Sequence, residues 1–254
     1  MAVKSDPKDV PTKGPLPPAL LRPSPLLTRL CKWLSTLAGT DQLMMLIQYT
    51  LDIVTHHLDH NTFERLRVIL ASHFHVLTSF PSKVPISPSL LSTRLKTLSA
   101  KISDTRILLR LHGIFSAYQF LISTYTTPSS NPTIAKIAKI QAYSNLLYYP
   151  LENAAYLASH SILPIDKTTE TALWLWSCRF WGAYVVLDIL RLHKQRDEYT
   201  DKRKWWAEMI QNLAYAPLTI HWSLEKGLGL RDVDVGYLGV VAGIASIYLG
   251  FPSS

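Results

Sequence analysis

Charged residues are scarce in this chain. They make up 17% of its 254 residues, against roughly 25% in soluble domains. Lysine and arginine nevertheless outnumber aspartate and glutamate, and the net charge is +8. A nucleic-acid-binding protein normally carries a dense face of lysine and arginine, so we expect no nucleic-acid partner. A basic but charge-poor chain instead fits a protein held against an anionic phospholipid membrane.

Cysteine is also rare, and Cys31 and Cys178 are the only two. Two cysteines are too few for a disulfide framework, so we expect a reducing, intracellular setting. The first 26 residues contain seven prolines and no apolar run typical of a secretory signal. We therefore expect residues 1–26 to form a disordered, proline-rich leader. The last residues resemble neither a retrieval nor a peroxisomal import tripeptide, so we expect any organelle address to be internal.

Motifs of catalysis are missing as well. The chain has no Walker A lysine, no G-x-G-x-x-G and no G-x-S-x-G, and no nucleophile, base and orienting acid come together. We predict that the protein is not an enzyme and uses no cofactor. His56 and His60, in a cluster with His57, could share one helix face. A solvated helix end explains this cluster better than a metal does, so we predict no metal site.

Helical periodicity fills most of the remaining sequence. Apolar residues recur at intervals of three and four, and prolines or glycines separate the segments. We predict an all-α fold, a membrane-associated helical bundle forming one domain over residues 27–254. Amphipathic helices are expected over 27–125 and further helices over 133–254. One or two of these are expected to span the membrane, at 171–192 and at 235–251, the latter having 17 residues without a charge.

The stretch 90–111 carries the clearest functional pattern, an apolar stripe with cationic residues along its edges. Long cationic side chains can lay their methylenes on hydrocarbon while their heads meet phosphates. A surface helix packed on a protein core is the alternative. We predict that a leucine stripe inserts into one leaflet: Leu91, Leu95, Leu98, Ile102 and Leu109. We predict that a basic border binds phospholipid headgroups: Arg94, Lys101, Arg106 and Arg110.

Small residues mark one face of the C-terminal segment at intervals of three, four, three and four. In lipid, such a face lets two helices approach backbone to backbone. We predict helix–helix association, and lateral assembly of copies, through this glycine face: Gly236, Gly239, Gly243, Ser246 and Gly250.

Several short motifs, taken in order, resemble the peroxin-11 family, and most closely its divergent fungal-type branch. The segment 30–51, with Gly39-Thr-Asp41 and Gln48-Tyr49, is similar to the family's opening string, although Gln42 and Met45 stand where the family has basic residues. The similarity continues through four further motifs: Arg110-Leu-His-Gly113, Tyr149-Pro-Leu-Glu-Asn153, Asn212-Leu-Ala-Tyr-Ala-Pro217 with His221-Trp222, and the glycine-rich terminal segment.

The resemblance implies a peroxisomal membrane protein that elongates the organelle before fission and thereby controls peroxisome size and number. It also implies homo-oligomers, and a dynamin-like GTPase with a tail-anchored adaptor that completes scission. Two alternatives stay open. One is a pore for small solutes, with Arg179, Glu152, Asn153 and Asp188 as candidate lining residues. The other is a non-enzymatic scaffold that recruits fission machinery through the leader.

Overall fold

The computed structural model describes residues 24–59 and 88–252. Within these ranges the chain is helical and contains no strand, so the predicted all-α fold is confirmed. Most of the proline-rich leader lies outside the described residues, as do His60 and residues 60–87 of the segment 27–125 where amphipathic helices are expected.

Helix boundaries follow from local sequence signals. Four helices begin after a side chain that accepts hydrogen bonds from the first backbone amides, namely Ser24, Asn131, Asp166 and Asp201. The helices are α1 (Pro25–Leu34), α2 (Leu37–Asp59), α3 (Pro88–Leu109), α4 (Gly113–Thr126), α5 (Pro132–Ser159), α6 (Lys167–Lys194), α7 (Lys202–Ser223) and α8 (Asp232–Gly250). A 3₁₀ turn (Arg110–His112) joins α3 directly to α4.

The helices pack side by side in a closed ring. α2 contacts both α3 and α8, α7 lies between α8 and α6, and α5 lies between α6 and α4. Arg110, in the 3₁₀ turn, closes the ring by pairing with Glu152 on α5. Gly113 is buried at the same crossing, where an added Cβ would lie 2.1 Å from Cε1 of Tyr149. Only glycine allows the chain to pass α5 this closely.

Polar and apolar side chains are both buried within the described residues, and many large apolar side chains are exposed on the outside of the ring. Phe115 on α4 is 72% exposed, and Ile244 on α8 is 57% exposed. Many exposed apolar side chains outside and many polar groups inside fit a protein in contact with a membrane. The buried polar side chains of the ring include Gln48, Arg106, Gln141, Glu152, Asp188 and Asn212.

Helix α7 shows the exposure of apolar side chains most clearly. Its apolar face predicts inward positions at Trp206, Ile210, Leu213, Pro217, Ile220 and Leu224. That prediction is wrong, because all of these except the half-buried Pro217 are exposed. The buried face instead carries Trp205, Met209, Asn212, Ala214, Leu218 and Thr219. Both faces of α7 carry large apolar side chains, so periodicity alone does not decide which of them turns inward.

Two helices, α6 and α8, are long and apolar enough to cross a membrane by length and composition. Helix α6 contains the whole segment 171–192 that the sequence marks as a span, and α8 contains all of the segment 235–251 except its last residue. Helix α4 has only 14 residues, which at about 1.5 Å per residue is too short to cross a bilayer alone.

Candidate functional site

A cavity of about 730 Å³ lies at the centre of the helical ring. Helices α2, α3, α5, α6, α7 and α8 all contribute side chains to its lining. The lining combines charged groups with many aromatic rings. We call these rings the aromatic wall: Tyr49, Tyr148, Tyr149, Trp174, Trp181, Tyr184, Tyr215 and Trp222.

Two arginines of the lining are held by polar groups on other helices. Arg106 donates from Nε to Oδ1 of Asp41 at 2.8 Å and from Nη1 to Oε1 of Gln48 at 2.8 Å. Arg110 donates from Nε and Nη2 to the two carboxylate oxygens of Glu152, at 3.0 and 2.8 Å. This fork-to-fork geometry is the strong, orientation-specific form of the arginine–carboxylate pair.

Burial and neighbouring groups have opposite effects on the pKa of Arg110, the partner of Glu152. Burial disfavours the charged form of Arg110, but Tyr148 and Glu152 outweigh it and raise the pKa of Arg110. Burial also raises the pKa of Tyr148 well above its ordinary value, so its hydroxyl stays protonated and donates to Glu152 at 2.7 Å. Glu152 is thus held by three hydrogen bonds from two residues.

Asp52 differs from the other two carboxylates of the cavity. Within the described residues it has no ion pair, and its Oδ1 accepts a hydrogen bond from the hydroxyl of Ser99. Burial raises the pKa of Asp52, and the bond from Ser99 offsets only part of that rise. The cavity lining therefore holds three carboxylates against two guanidinium groups.

The residues of α3 that were predicted to contact the membrane differ in their exposure. Arg94 and Lys101 are exposed, and Leu98 of the leucine stripe is 49% exposed. The other four members of the stripe are half-buried: Leu91, Leu95, Ile102 and Leu109. Arg106 and Arg110 are not on the outer surface with Arg94 and Lys101, because both pair with carboxylates inside the ring.

Sequence reasoning missed the inner face of α3, although a signal for it exists. Ser92, Ser99 and Arg106 recur every seven residues and are all buried, and residues seven apart share a helix face. Ser99 and Arg106 both bond to α2. Small and polar residues at this interval indicate a buried polar seam beside the leucine stripe.

The glycine face of α8 packs against α2 of the same chain. An added Cβ at Gly239 would lie 2.3 Å from Cγ of Tyr49, and one at Gly236 would lie 2.9 Å from Cγ1 of Ile53. The spacing of these small residues predicts a face that joins copies of the protein, whereas in the structure α2 of the same chain lies on it. Gly243 contacts α2 more loosely, Gly250 lies beside Gln42, and Ser246 accepts a hydrogen bond from Gln211 on α7.

Of the residues considered for a pore, the structure places Glu152 in the cavity lining. Asn153 donates to the carbonyl of Leu111 at 3.2 Å, and Arg179 is exposed and donates to the carbonyl of Ser223. Asp188 belongs to a separate buried network, where it accepts from Gln141, Arg191 and Asn212. Arg179 therefore pairs with neither Glu152 nor Asp188, whose arginine partners are Arg110 and Arg191.

Among the described residues, no three histidine, cysteine or acidic side chains are grouped so as to hold a metal ion. His57 lies 2.8 Å from the hydroxyl of Tyr237 on α8, and the position of His60 lies outside the described residues.

Comparisons with known proteins agree with the resemblance seen in the sequence. The family model for Peroxisomal biogenesis factor 11 (PEX11) matches residues 83–198, which include all of α3 to α6. An uncharacterised protein of Schizosaccharomyces pombe is 35% identical over 147 residues, which cover 58% of this chain and 71% of that relative. No solved structure matches.

The ring of helices thus belongs to a class of peroxisomal membrane biogenesis factors. The chain is a member of the PEX11 family, and the fungal relative agrees with the fungal-type branch indicated by the sequence. The protein is located at the peroxisomal membrane and acts in peroxisome biogenesis.

Proposed function

We propose that this protein elongates and remodels the peroxisomal membrane ahead of fission, by inserting apolar faces of α3 and α4 into one leaflet. Support comes from exposed apolar side chains on both α3 and α4, the two helices that the 3₁₀ turn joins. Leu98 and Leu108 are 49% and 48% exposed on α3, and Phe115 and Ile122 are 72% and 44% exposed on α4. An amphipathic helix that enters only one leaflet expands that leaflet relative to the other and favours curvature.

Apolar transfer supplies most of the free energy in this proposal. Moving one exposed leucine or phenylalanine side chain fully out of water contributes about 1.5–3 kcal/mol, whereas a basic residue near an anionic surface contributes about 1 kcal/mol. Arg94 and Lys101 are exposed and supply the phosphate contacts. The charges of Arg106 and Arg110 are already paired with Asp41 and Glu152, so in this proposal these two arginines hold α3 to the ring.

Elongation also needs many copies and further proteins. Because α2 occupies the glycine face of α8, the homo-oligomer in this proposal forms through outward surfaces of the ring. The family resemblance supports a dynamin-like GTPase and a tail-anchored adaptor as the partners that complete scission of the elongated membrane.

The double substitution Leu98→Glu/Phe115→Glu in the full chain should abolish tubulation of anionic liposomes, because two carboxylates would have to enter the acyl region. Electron microscopy should show at least a ten-fold fall in tubule length per vesicle. The matched control is Leu228→Glu in the loop after α7, where the residue is 48% exposed, and tubulation should persist. Equal tubulation by the double variant, with its helicity intact by circular dichroism, would refute leaflet insertion.

The central cavity favours a second candidate function, passage of small solutes. A closed ring of helices around a lining of charged and aromatic side chains can offer a polar route that lipid-facing surfaces cannot. Of the pore residues considered from sequence, Glu152 alone lies in this lining.

Cys178 allows a direct test of passage, since it is part of the cavity lining. In a Cys31→Ser background, a bulky methanethiosulfonate reagent should at least halve the conductance of the reconstituted full chain in planar bilayers. The Cys178→Ser variant should conduct normally and be insensitive to the reagent. Full conductance after modification, verified by mass spectrometry, would exclude the cavity as the route.

A further inference from the structure

We propose that the central cavity is a binding site for a quaternary ammonium group, as carried by choline headgroups and by soluble trimethylammonium compounds. The site combines the aromatic wall with a carboxylate, Asp52, that no described cation neutralises. It depends neither on leaflet insertion nor on solute passage.

Trp181 lies at the centre of the aromatic wall. Its ring stacks on Trp222, with centroids 5.8 Å apart and planes 17° apart, and meets Tyr215 edge-on at 5.3 Å and 63°. Tyr49 belongs to the cluster against which Tyr215 and Trp222 pack, and Cζ of Arg106 lies 5.9 Å from its ring centroid. Aromatic faces attract cations within about 6 Å of the ring centroid, most strongly where water is excluded.

The charges of the lining favour a cation over an anion. Arg106 is paired with Asp41 and Arg110 with Glu152, so neither arginine offers an uncommitted charge to an anionic ligand. Asp52 is left with the neutral hydroxyl of Ser99. Burial raises the pKa of Asp52, which reflects the cost of keeping this carboxylate charged without a counterion. A bound cation would remove that cost.

Aromatic faces lack strong hydrogen-bond acceptors, and this determines which class of cation the cavity favours. An inorganic ion or a primary ammonium group would lose water contacts that rings replace poorly. A quaternary ammonium group has no N–H donors to satisfy and is recognised by rings arranged around it. The volume of about 730 Å³ falls within the range of roughly 300–1,000 Å³ typical of small-molecule sites, so it also accommodates the remainder of a headgroup.

The decisive experiment compares choline with 3,3-dimethylbutan-1-ol, an uncharged molecule of the same shape in which carbon replaces nitrogen. Calorimetry would use the full chain in nanodiscs of phosphatidylglycerol, which carries no choline. We expect choline to bind at least ten-fold more tightly than the alcohol. Equal affinities, or no detectable binding of choline, would overturn the proposal.

Substitutions then test whether the charge of Asp52 contributes to choline binding. Asp52→Asn keeps the side-chain size and should weaken choline binding at least ten-fold while leaving the alcohol unaffected. The matched control, Asp197→Asn, removes the same charge from the exposed loop after α6 and should bind choline normally. If folded Asp52→Asn binds choline as tightly as the unmodified chain, the charge assignment is wrong and the proposal fails.

A final comparison identifies the source of the ammonium group. Dihexanoylphosphatidylcholine binding ten-fold more tightly than free choline would support a lipid headgroup as the natural ligand. Choline binding as tightly as the short-chain lipid would support a soluble trimethylammonium compound.

Discussion

Replacing Arg110 with methionine should lower the free energy of unfolding by about 3 kcal/mol, because Glu152 would keep a buried charge without its ionic partner. The side chain of Glu152 is only 6% exposed, and that of Arg110 is 28% exposed. After the substitution, the hydroxyl of Tyr148 would be the remaining donor to this carboxylate. Denaturant unfolding of the full chain in detergent, followed by circular dichroism, measures the loss.

The double variant Arg110→Met/Glu152→Gln should recover most of this stability. Removing both charges avoids the uncompensated carboxylate, and replacement of a whole buried ion pair is often nearly neutral. An exposed pair provides the matched control: Arg231 and Asp234 are 2.8 Å apart, but their side chains are 73% and 32% exposed. Arg231→Met should change stability far less. Equal losses in the two single variants would mean that burial of Glu152 has no energetic consequence.

Gly239→Ala should destabilise the protein by about 2 kcal/mol, whereas Gly243→Ala should be neutral or slightly stabilising. At position 239 the new methyl group would lie 2.3 Å from Cγ of Tyr49, whose ring is only 8% exposed within a packed cluster. Overpacking of this kind typically costs about 1–3 kcal/mol. At position 243 the nearest atom, Cε of Met45, would be 3.4 Å away, and alanine favours the helix by up to about 1 kcal/mol.

This pair of variants separates two uses of the glycine face. If the face joined copies of the protein symmetrically, both substitutions would weaken assembly, and cross-linking in liposomes would detect it. If it serves α2 alone, only Gly239→Ala should affect unfolding, and oligomers should persist in both variants. Equal destabilisation by the two alanines would contradict the packing described for α8.

Properties set by local sequence were predictable. The start of α5 follows from Asn131 and Pro132, and α8 follows from an uncharged run with small residues in helical register. These signals lie within a few residues of the feature they specify.

Properties that depend on distant partners were not predictable. Arg106 finds Asp41 across 65 positions, and Arg110 finds Glu152 across 42, so an amphipathic pattern alone assigned both arginines to phosphates. The prediction of which face of α7 is buried was wrong because both faces carry large apolar side chains. The cavity could not be inferred from any one segment, since six helices contribute to it.

The close crossing of Gly113 and Tyr149 gives α3 and α4 a common pivot. The two helices continue one another across a single 3₁₀ turn, and the ion pair of Arg110 and Glu152 fixes them to α5 at that same point. In the leaflet insertion proposed above, a tilt of α4 would therefore be transmitted through this pivot to the far end of α3. The insertion depth of Phe115 and the height of Arg94 above the phosphates would then change together.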